Sequence, residues 1–212
     1  MRKHQFISSP MIICPTSLKY QWKKEIERFT NTKAIVVEGN HLTRKVLYGA
    51  EEFYKIVSYN SVCNDIKTLK SLHTDFLIMD EVQRLKNWNT QIAKAARHIE
   101  SDYSVILSGT PLENKLEELY SIMQFVDQFC LGPYYQFIDQ TVVRSDTGKV
   151  VSYKNLNAIG EQIKNVLIRR RKKDVTLQLP RRMDKLLFVP MTEQQRNMHD
   201  EYQSIVSQLV FK

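Results

Sequence analysis

Phe76-Leu77-Ile78-Met79-Asp80-Glu81 is a run of four apolar residues that stops at two carboxylates. A strand with one wet face alternates apolar and polar residues. A strand that is apolar at consecutive positions is buried on both faces, as in a parallel sheet covered by helices. Working outward from it, short runs rich in Ile, Val and Leu recur at Met11 to Cys14, Ala34 to Val37, Lys55 to Ser58 and Tyr103 to Leu107. Each is followed by a segment of helical period. After Pro15 and Thr16, the residues Leu18, Trp22, Ile26 and Phe29 fall on one face of a helix; Gln91 to Ile99 is again helical; Leu116, Leu119, Met123 and Val126 repeat at the same spacing. Strands alternating with helices predict an α/β, doubly wound domain with its ligands at the carboxyl ends of the strands.

The bulk numbers fit that reading. With 212 residues the chain is long enough for one well-cored domain, or a core domain with a small annex. The 31 Lys and Arg against 23 Asp and Glu leave +8, a balance that favours polyanionic partners such as nucleic acid, though weakly when taken alone. Cys14, Cys63 and Cys130 lie far apart and form no CxxC pair, so neither a disulfide framework nor a zinc site is expected. Cys14, inside Met11-Ile12-Ile13-Cys14, reads as a buried structural thiol. No apolar run approaches the roughly 18 residues that span a bilayer, and Met1-Arg2-Lys3-His4-Gln5 leads into no long apolar stretch of a signal peptide. The expectation is a cytoplasmic protein with no membrane partner.

Near Phe129 the pattern weakens. From Leu131 to about Gly160 the chain turns polar and aromatic, with Gly132-Pro133, the pair Tyr134-Tyr135 and the turn-like Ser145-Asp146-Thr147-Gly148. This reads as a small helical or loop annex. Then come the basic run Arg169-Arg170-Arg171-Lys172-Lys173, Leu179-Pro180, and an apolar Leu186 to Val189 read as a strand. In the last helix Thr192-Glu193-Gln194-Gln195 matches a capping box, and Met198, Tyr202, Ile205 and Leu209 form an apolar face. The resulting division is 1–127 for the core lobe, 128–165 for the annex and 166–212 for the basic junction, strand and start of a helix.

Three places could carry chemistry, all at predicted strand ends. Asp80 and Glu81 can take different tasks, because neighbouring strand residues point to opposite sides. One can hold a hydrated Mg²⁺ and the next can orient or deprotonate a water. A solvated Asp-Glu at a strand end is the commoner meaning of such a pair. Ser108-Gly109-Thr110-Pro111 closes Val105-Ile106-Leu107; its bland reading is a strand-to-helix turn, with Gly for an unusual dihedral and Pro opening a helix. Cys14-Pro15-Thr16-Ser17-Leu18 leads from a strand into a helix, where amides and hydroxyls suit a phosphate or simply cap the helix, with Lys19, Lys23 and Lys24 following.

The order and spacing of these segments decide between the readings. With Ile56-Val57-Ser58-Tyr59-Asn60 between the first two, and Arg84-Leu85-Lys86-Asn87 after the acidic pair, the set resembles the Swi/Snf-type family of superfamily-two helicase-like ATPases. The matching motifs are Ia (ICPTSL), Ib (VSYN), II (DEVQRLKN) and III (LSGTPLEN), and Ile168 to Val175 with Leu179-Pro180 resembles the junction before the second lobe. The resemblance spans about residues 11 to 203. It implies a RecA-like lobe with a helical protrusion from Leu112 to about Lys164, acting in an ATP-driven translocase on duplex DNA. It also implies that Asp80 helps hold Mg²⁺ through water, that Glu81 activates the water, and that Gln83 senses the nucleotide or the other lobe. Ser108 and Thr110 would couple ATP state to DNA grip. Pro15, Thr16, Ser17, Tyr59 and Asn60, with Arg84 and Lys86, would lie near the duplex backbone. ATP, Mg²⁺, duplex DNA and a second RecA-like lobe are the implied cofactors and partners.

The chain departs from the family in one large respect. Its sequence holds no G-x-x-x-x-G-K-[ST] loop; the one Gly-Lys pair, Gly148-Lys149, is followed by Val150 and has Val143 where the first Gly belongs. The expectation is a segment of a larger protein that alone hydrolyses no ATP. Smaller departures are Arg171, where Thr is usual, and DEVQ in place of DEAH or DEGH. The run of five cations reads equally as a solvated linker and as a DNA contact. Trp22 reads as core, and Trp88 is undecided. Competing readings are a non-catalytic, helicase-like DNA- or protein-binding module, and an RNA helicase or restriction-type motor of the same superfamily.

Overall fold

The computed structural model describes residues 7–85, 87, 90–109, 115–170, 183 and 185–210. The chain divides into two compact units, Met1–Ile168 and Arg169–Lys212. The first is built on a five-stranded sheet: β1 (Pro10–Cys14), β2 (Ala34–Val36), β3 (Tyr54–Ser58), β4 (Thr74–Met79) and β5 (Ser101–Ile106). Their order is β2-β3-β1-β4-β5, and every neighbouring pair is parallel. The helices between them are α1 (Lys19–Thr30), α2 (His41–Tyr48), α3 (Tyr59–Leu69) and α4 (Gln91–Ala96). The five apolar runs are therefore the five strands of an α/β doubly wound sheet.

Coverage of the two faces is unequal. Met11, Ile13, Val57, Leu77 and Met79 face Tyr48 of α2, Val62 and Leu69 of α3, and the alanines of α4. On the other face Ile12, Cys14 and Ile56 pack on Ile26 of α1, with Trp22 against them. Burial pushes the Cys14 thiol up to about 12, so it is an inert core group. On this second face β5 is bare. Tyr103 and Val105, in register with Phe76 and Ile78, are 54% and 40% exposed. Among the described residues no strand pairs with the outer side of β5. Phe29 also departs from expectation. It is 74% exposed and stacks with the Arg28 guanidinium. α4 stops at Ala96, short of Ile99.

Two polar anchors fix the unit. Asp75 at the start of β4 accepts hydrogen bonds from Ser8 Oγ at 2.8 Å and Ser9 N at 3.0 Å, clamping the lead-in to β1. Asp65, 1% exposed on the apolar side of α3, takes Arg44 Nε at 2.6 Å and Nη2 at 2.7 Å. The Tyr48 hydroxyl donates to it at 3.1 Å, and His41 Nδ1 lies 3.1 Å away. Burial pushes the Asp65 carboxyl up, but the Arg44, His41 and Tyr48 bonds outweigh that and hold it below the usual carboxylate range.

The annex shares a core with the helix that precedes it. α5 (Leu116–Met123), α6 (Tyr134–Thr141), the antiparallel hairpin β6 (Val142–Arg144) and β7 (Val150–Tyr153), and α7 (Leu156–Ile163) bring Leu116, Leu119, Tyr120, Met123, Leu131, Phe137, Ile159 and Ile163 together. The hairpin is an element beyond the helical or loop annex expected from sequence. Its turn is Ser145-Asp146-Thr147-Gly148, closed by Gly148 N to Ser145 O at 2.8 Å, with Gly148 at φ +79. Nothing lies within 4 Å of a Cβ built on Gly148, so only the backbone resists a side chain there. Gly148→Ala is expected to cost about 1 kcal/mol, read as a lowered melting temperature by circular dichroism. No change would place that turn outside the cooperative unit.

In the second unit, Arg169 and Arg170 are exposed, while Arg171 to Lys173 and Leu179-Pro180 lie outside the described residues. Leu186 to Val189 forms no strand and is exposed, since a strand needs a neighbour to pair with and none is present among this unit's described residues. α8 (Glu193–Val210) opens with the expected capping box: Gln195 N donates to Thr192 Oγ1 at 3.3 Å, and Thr192 N donates to Gln195 Oε1 at 3.1 Å. No helix among the described residues is long and apolar enough to cross a membrane.

Candidate functional site

The parallel sheet places four strand ends along one edge. β1 ends at Cys14 and runs through Pro15 into the one-turn helix Thr16–Leu18 and α1. β3 ends at Ser58, whose side chain accepts from Ser61 N at 3.2 Å and so caps α3. β4 ends at Met79 and β5 at Ile106, so Asp80, Glu81 and Ser108 follow side by side. Asp80 stays in line with β1, its N–H donating to Ile13 O at 2.8 Å.

The chain then turns sharply. Glu81 has φ +53, a left-handed conformation disfavoured for a side-chain-bearing residue. Such local strain is held where the surroundings over-determine it, and it collects at functional sites. Here Glu81 N donates to Asp80 Oδ1 at 2.8 Å, and Val82 N donates to Leu107 O at 3.2 Å. The turn separates the two carboxylates in direction. Asp80 is held by Trp22, whose Nε1 donates to Asp80 Oδ2 at 2.8 Å, while the Tyr59 hydroxyl donates to the Asp80 carbonyl at 2.7 Å. Glu81 instead accepts from Gln83 Nε2, and Ser108 Oγ donates to Gln83 Oε1 at 3.2 Å. A hydrogen-bonded chain Glu81–Gln83–Ser108 thus links the ends of β4 and β5.

The structure brings together Asp80, Glu81, Gln83, Ser108 and Tyr59 from the residues singled out in sequence. Thr16, Ser17 and Asn60 are exposed on the same edge, whereas Pro15 and Tyr59 are buried and support it. Neither Thr16 nor Ser17 caps the helix it precedes, against the bland expectation for these hydroxyls. Lys19 is not turned outward; it is buried in an ion pair with Glu38 at 2.5 Å. Gly109 takes no positive φ, and the left-handed residue of this edge is Glu81. Thr110, Lys86, Trp88 and Pro111 lie outside the described residues, as does the side chain of Arg84. The role of Trp22 combines packing with a polar bond. The sequence signal for that is an indole one turn into the helix that follows a strand end.

A carboxylate has about four acceptor positions, so Asp80, with two bonds to its side chain, keeps capacity for a metal-bound water. Among the described residues there is no cluster of three or more metal-ligating side chains.

A family model described as SNF2-related domain matches residues 1–211. The chain is similar to an uncharacterized ATP-dependent helicase of Mycoplasma genitalium, 29% identical over 193 residues that are 90% of this chain and 18% of that protein. It is similar to human Chromodomain-helicase-DNA-binding protein 6, 26% identical over 205 residues, 89% of this chain and 7% of that one. Its fold resembles the Sulfolobus solfataricus SWI2/SNF2 ATPase core in complex with dsDNA, with a TM-score of 0.71, 26% identity, and coverage of 84% of this chain and 37% of that one. The SWI2/SNF2 ATPase core domain of the same organism matches with a TM-score of 0.64 and 25% identity, covering 100% of this chain and 42% of that one. The chain thus spans less than a fifth of these two curated relatives and less than half of either solved core.

Proposed function

The chain belongs to the SNF2-related domain family and has its RecA-like fold, and from that premise we propose that it works as part of the first motor lobe of an ATP-driven translocase on duplex DNA. The observation that carries this reading is the division of labour at the sheet edge, where Asp80 and Glu81 are turned apart and Glu81 is wired through Gln83 to Ser108. In the parent protein Asp80 would hold the Mg²⁺ of bound ATP through water. That Mg·ATP supplies the phosphoryl group and the metal that neutralises its charge. Glu81 orients the attacking water and accepts its proton, and Gln83 keeps the Glu81 carboxylate aimed. Ser108 ties Gln83 to the end of β5, so a change at the nucleotide reaches the segment that follows. Thr16, Ser17 and Asn60 offer exposed hydrogen-bonding groups to a phosphate backbone, with Arg84 and Lys86 as the cations. The helical protrusion and the basic junction belong to the same reading, as does the division at 127 and 165.

The 212-residue chain by itself hydrolyses no ATP on this reading, because its sequence holds no phosphate-binding loop. A second reading is a non-catalytic helicase-like DNA- or protein-binding module. The intact Asp80–Glu81 pair in its strained turn speaks against that. ATP hydrolysis by the parent protein, measured with and without duplex DNA and with RNA, separates the readings. Stimulation by duplex supports the translocase, equal rates sink the coupled motor, and a clear RNA preference moves the assignment to an RNA helicase. For the chain itself, Arg84→Ala and Lys86→Ala are each expected to weaken duplex binding and to lower the slope of log affinity against log salt by about one. A slope unchanged in both variants would remove these side chains from the interface.

A further inference from the structure

Trp22 and Tyr59 reach one residue from opposite faces of the sheet. Trp22 lies one turn into α1, packed with Ile12, Cys14 and Ile26. Tyr59 opens α3 within the cluster on the other face and is 1% exposed. The indole donates to the Asp80 carboxylate and the phenol to the Asp80 carbonyl. Buried Trp and Tyr usually find some partner, commonly the nearest backbone carbonyl. Here each bypasses its own strand end for a residue 58 or 21 positions away. α1 begins directly after the exposed Thr16-Ser17 turn, and α3 carries the exposed Asn60 beside Tyr59. Both segments read as duplex-facing are therefore tied by a side-chain hydrogen bond to the residue read as the metal carboxylate.

We propose that Asp80 is the junction between the duplex side and the nucleotide side of the lobe, with Trp22 and Tyr59 as the positioning residues that form it. The proposal rests on the translocase reading and adds the path of coupling. A phosphate backbone seated on the Thr16-Ser17 turn displaces α1, and the Trp22 N–H carries that displacement to the carboxylate. The hydroxyl of Tyr59 does the same from α3 to the Asp80 backbone. Linkage makes the path reciprocal: whatever the duplex does to Asp80, a change at Asp80 does to duplex affinity.

The test uses the full 212-residue chain and a fluorescently labelled random-sequence duplex, with binding read by anisotropy and folding by circular dichroism. Trp22→Phe keeps an aromatic ring and removes the donor; Tyr59→Phe removes a single oxygen. Each is expected to weaken duplex binding about fivefold or more, although neither side chain is exposed on the duplex-facing edge. Asp80→Ala should weaken binding to a similar degree, and the double variant Trp22→Phe with Asp80→Ala should be no weaker than the single ones. In a Trp88→Phe background the remaining indole should shift its emission on duplex addition, and Asp80→Ala should abolish that shift. Tyr59→Phe carries the test if Trp22→Phe lowers the melting temperature enough to obscure its binding. Unchanged affinity in both Phe variants, or a double variant equal to the product of the singles, overturns the junction while leaving the duplex reading intact. A wild-type chain that binds no duplex overturns both.

Discussion

Glu81→Gln in the intact parent protein is expected to lower ATP turnover by about a hundred- to ten-thousandfold, with little change in the apparent affinity for ATP. The amide keeps the shape of the side chain and its contact with Gln83, but it cannot take a proton from water. The loss therefore falls on turnover rather than on binding. The left-handed backbone gives this position a second, opposite expectation. Glu81 at φ +53 carries a conformational cost of about 1–2 kcal/mol that glycine does not. Glu81→Gly should thus be as inactive as the Gln variant yet melt higher, while Glu81→Gln should melt close to wild type. Melting curves and steady-state rates for the two variants check both halves. A Gln variant that keeps its turnover, or a Gly variant that melts lower, breaks the assignment of base or of strain respectively.

Arg44→Met is expected to destabilise the chain by about 3–5 kcal/mol near neutral pH, because it strands the carboxylate of Asp65 inside the protein. For a chain of this size about 1 kcal/mol is worth 2–4 °C of melting temperature, so a drop on the order of 10 °C is expected. Asp65 is 1% exposed, and the Arg44 fork supplies two of its bonds. Its carboxyl sits below the ordinary range in the folded state, so the stability it contributes is complete above the unfolded Asp value of about 3.9 and fades as pH falls through the folded value. The gap between wild type and Arg44→Met should therefore be widest at neutral pH and narrow in acid, where the stranded group can be protonated. Adding Asp65→Asn to Arg44→Met should recover part of the loss, since the amide carries no charge to desolvate. A gap independent of pH would mean that Arg44 acts by packing alone.

β1 to β4 were legible because burial on both faces leaves consecutive apolar residues, a pattern with few other meanings, and β5 was read from the same pattern in Val105-Ile106-Leu107 although one of its faces is exposed. Thr192 and Gln195 marked the start of α8 because a capping box is local and needs no tertiary context. The strand-end location of Asp80, Glu81, Ser108 and Tyr59 followed from the same logic. What stayed hidden depends on groups distant in sequence. The hairpin of β6 and β7 has strands of three and four residues, too short to show alternation, though its turn was marked by Ser145 to Gly148. The Arg44–Asp65 pair left one clue, an aspartate on the apolar helix face of Val62, Ile66 and Leu69. Trp22 looked like core, and it is core, but its N–H points at a carboxylate 58 residues on. Unequal coverage of the two faces of the sheet has no local signature at all.

The bare flank of β5 also bears on how every binding measurement on this chain is read. Among the described residues no strand pairs with the outer edge of β5, beside exposed Tyr103 and Val105; such an edge is a template for any extended peptide, including another copy of the same chain. Self-association through that flank would mimic cooperative loading of the duplex, producing sigmoid titrations and inflated stoichiometries. An affinity for DNA is thus a property of the lobe only where dilution leaves it constant.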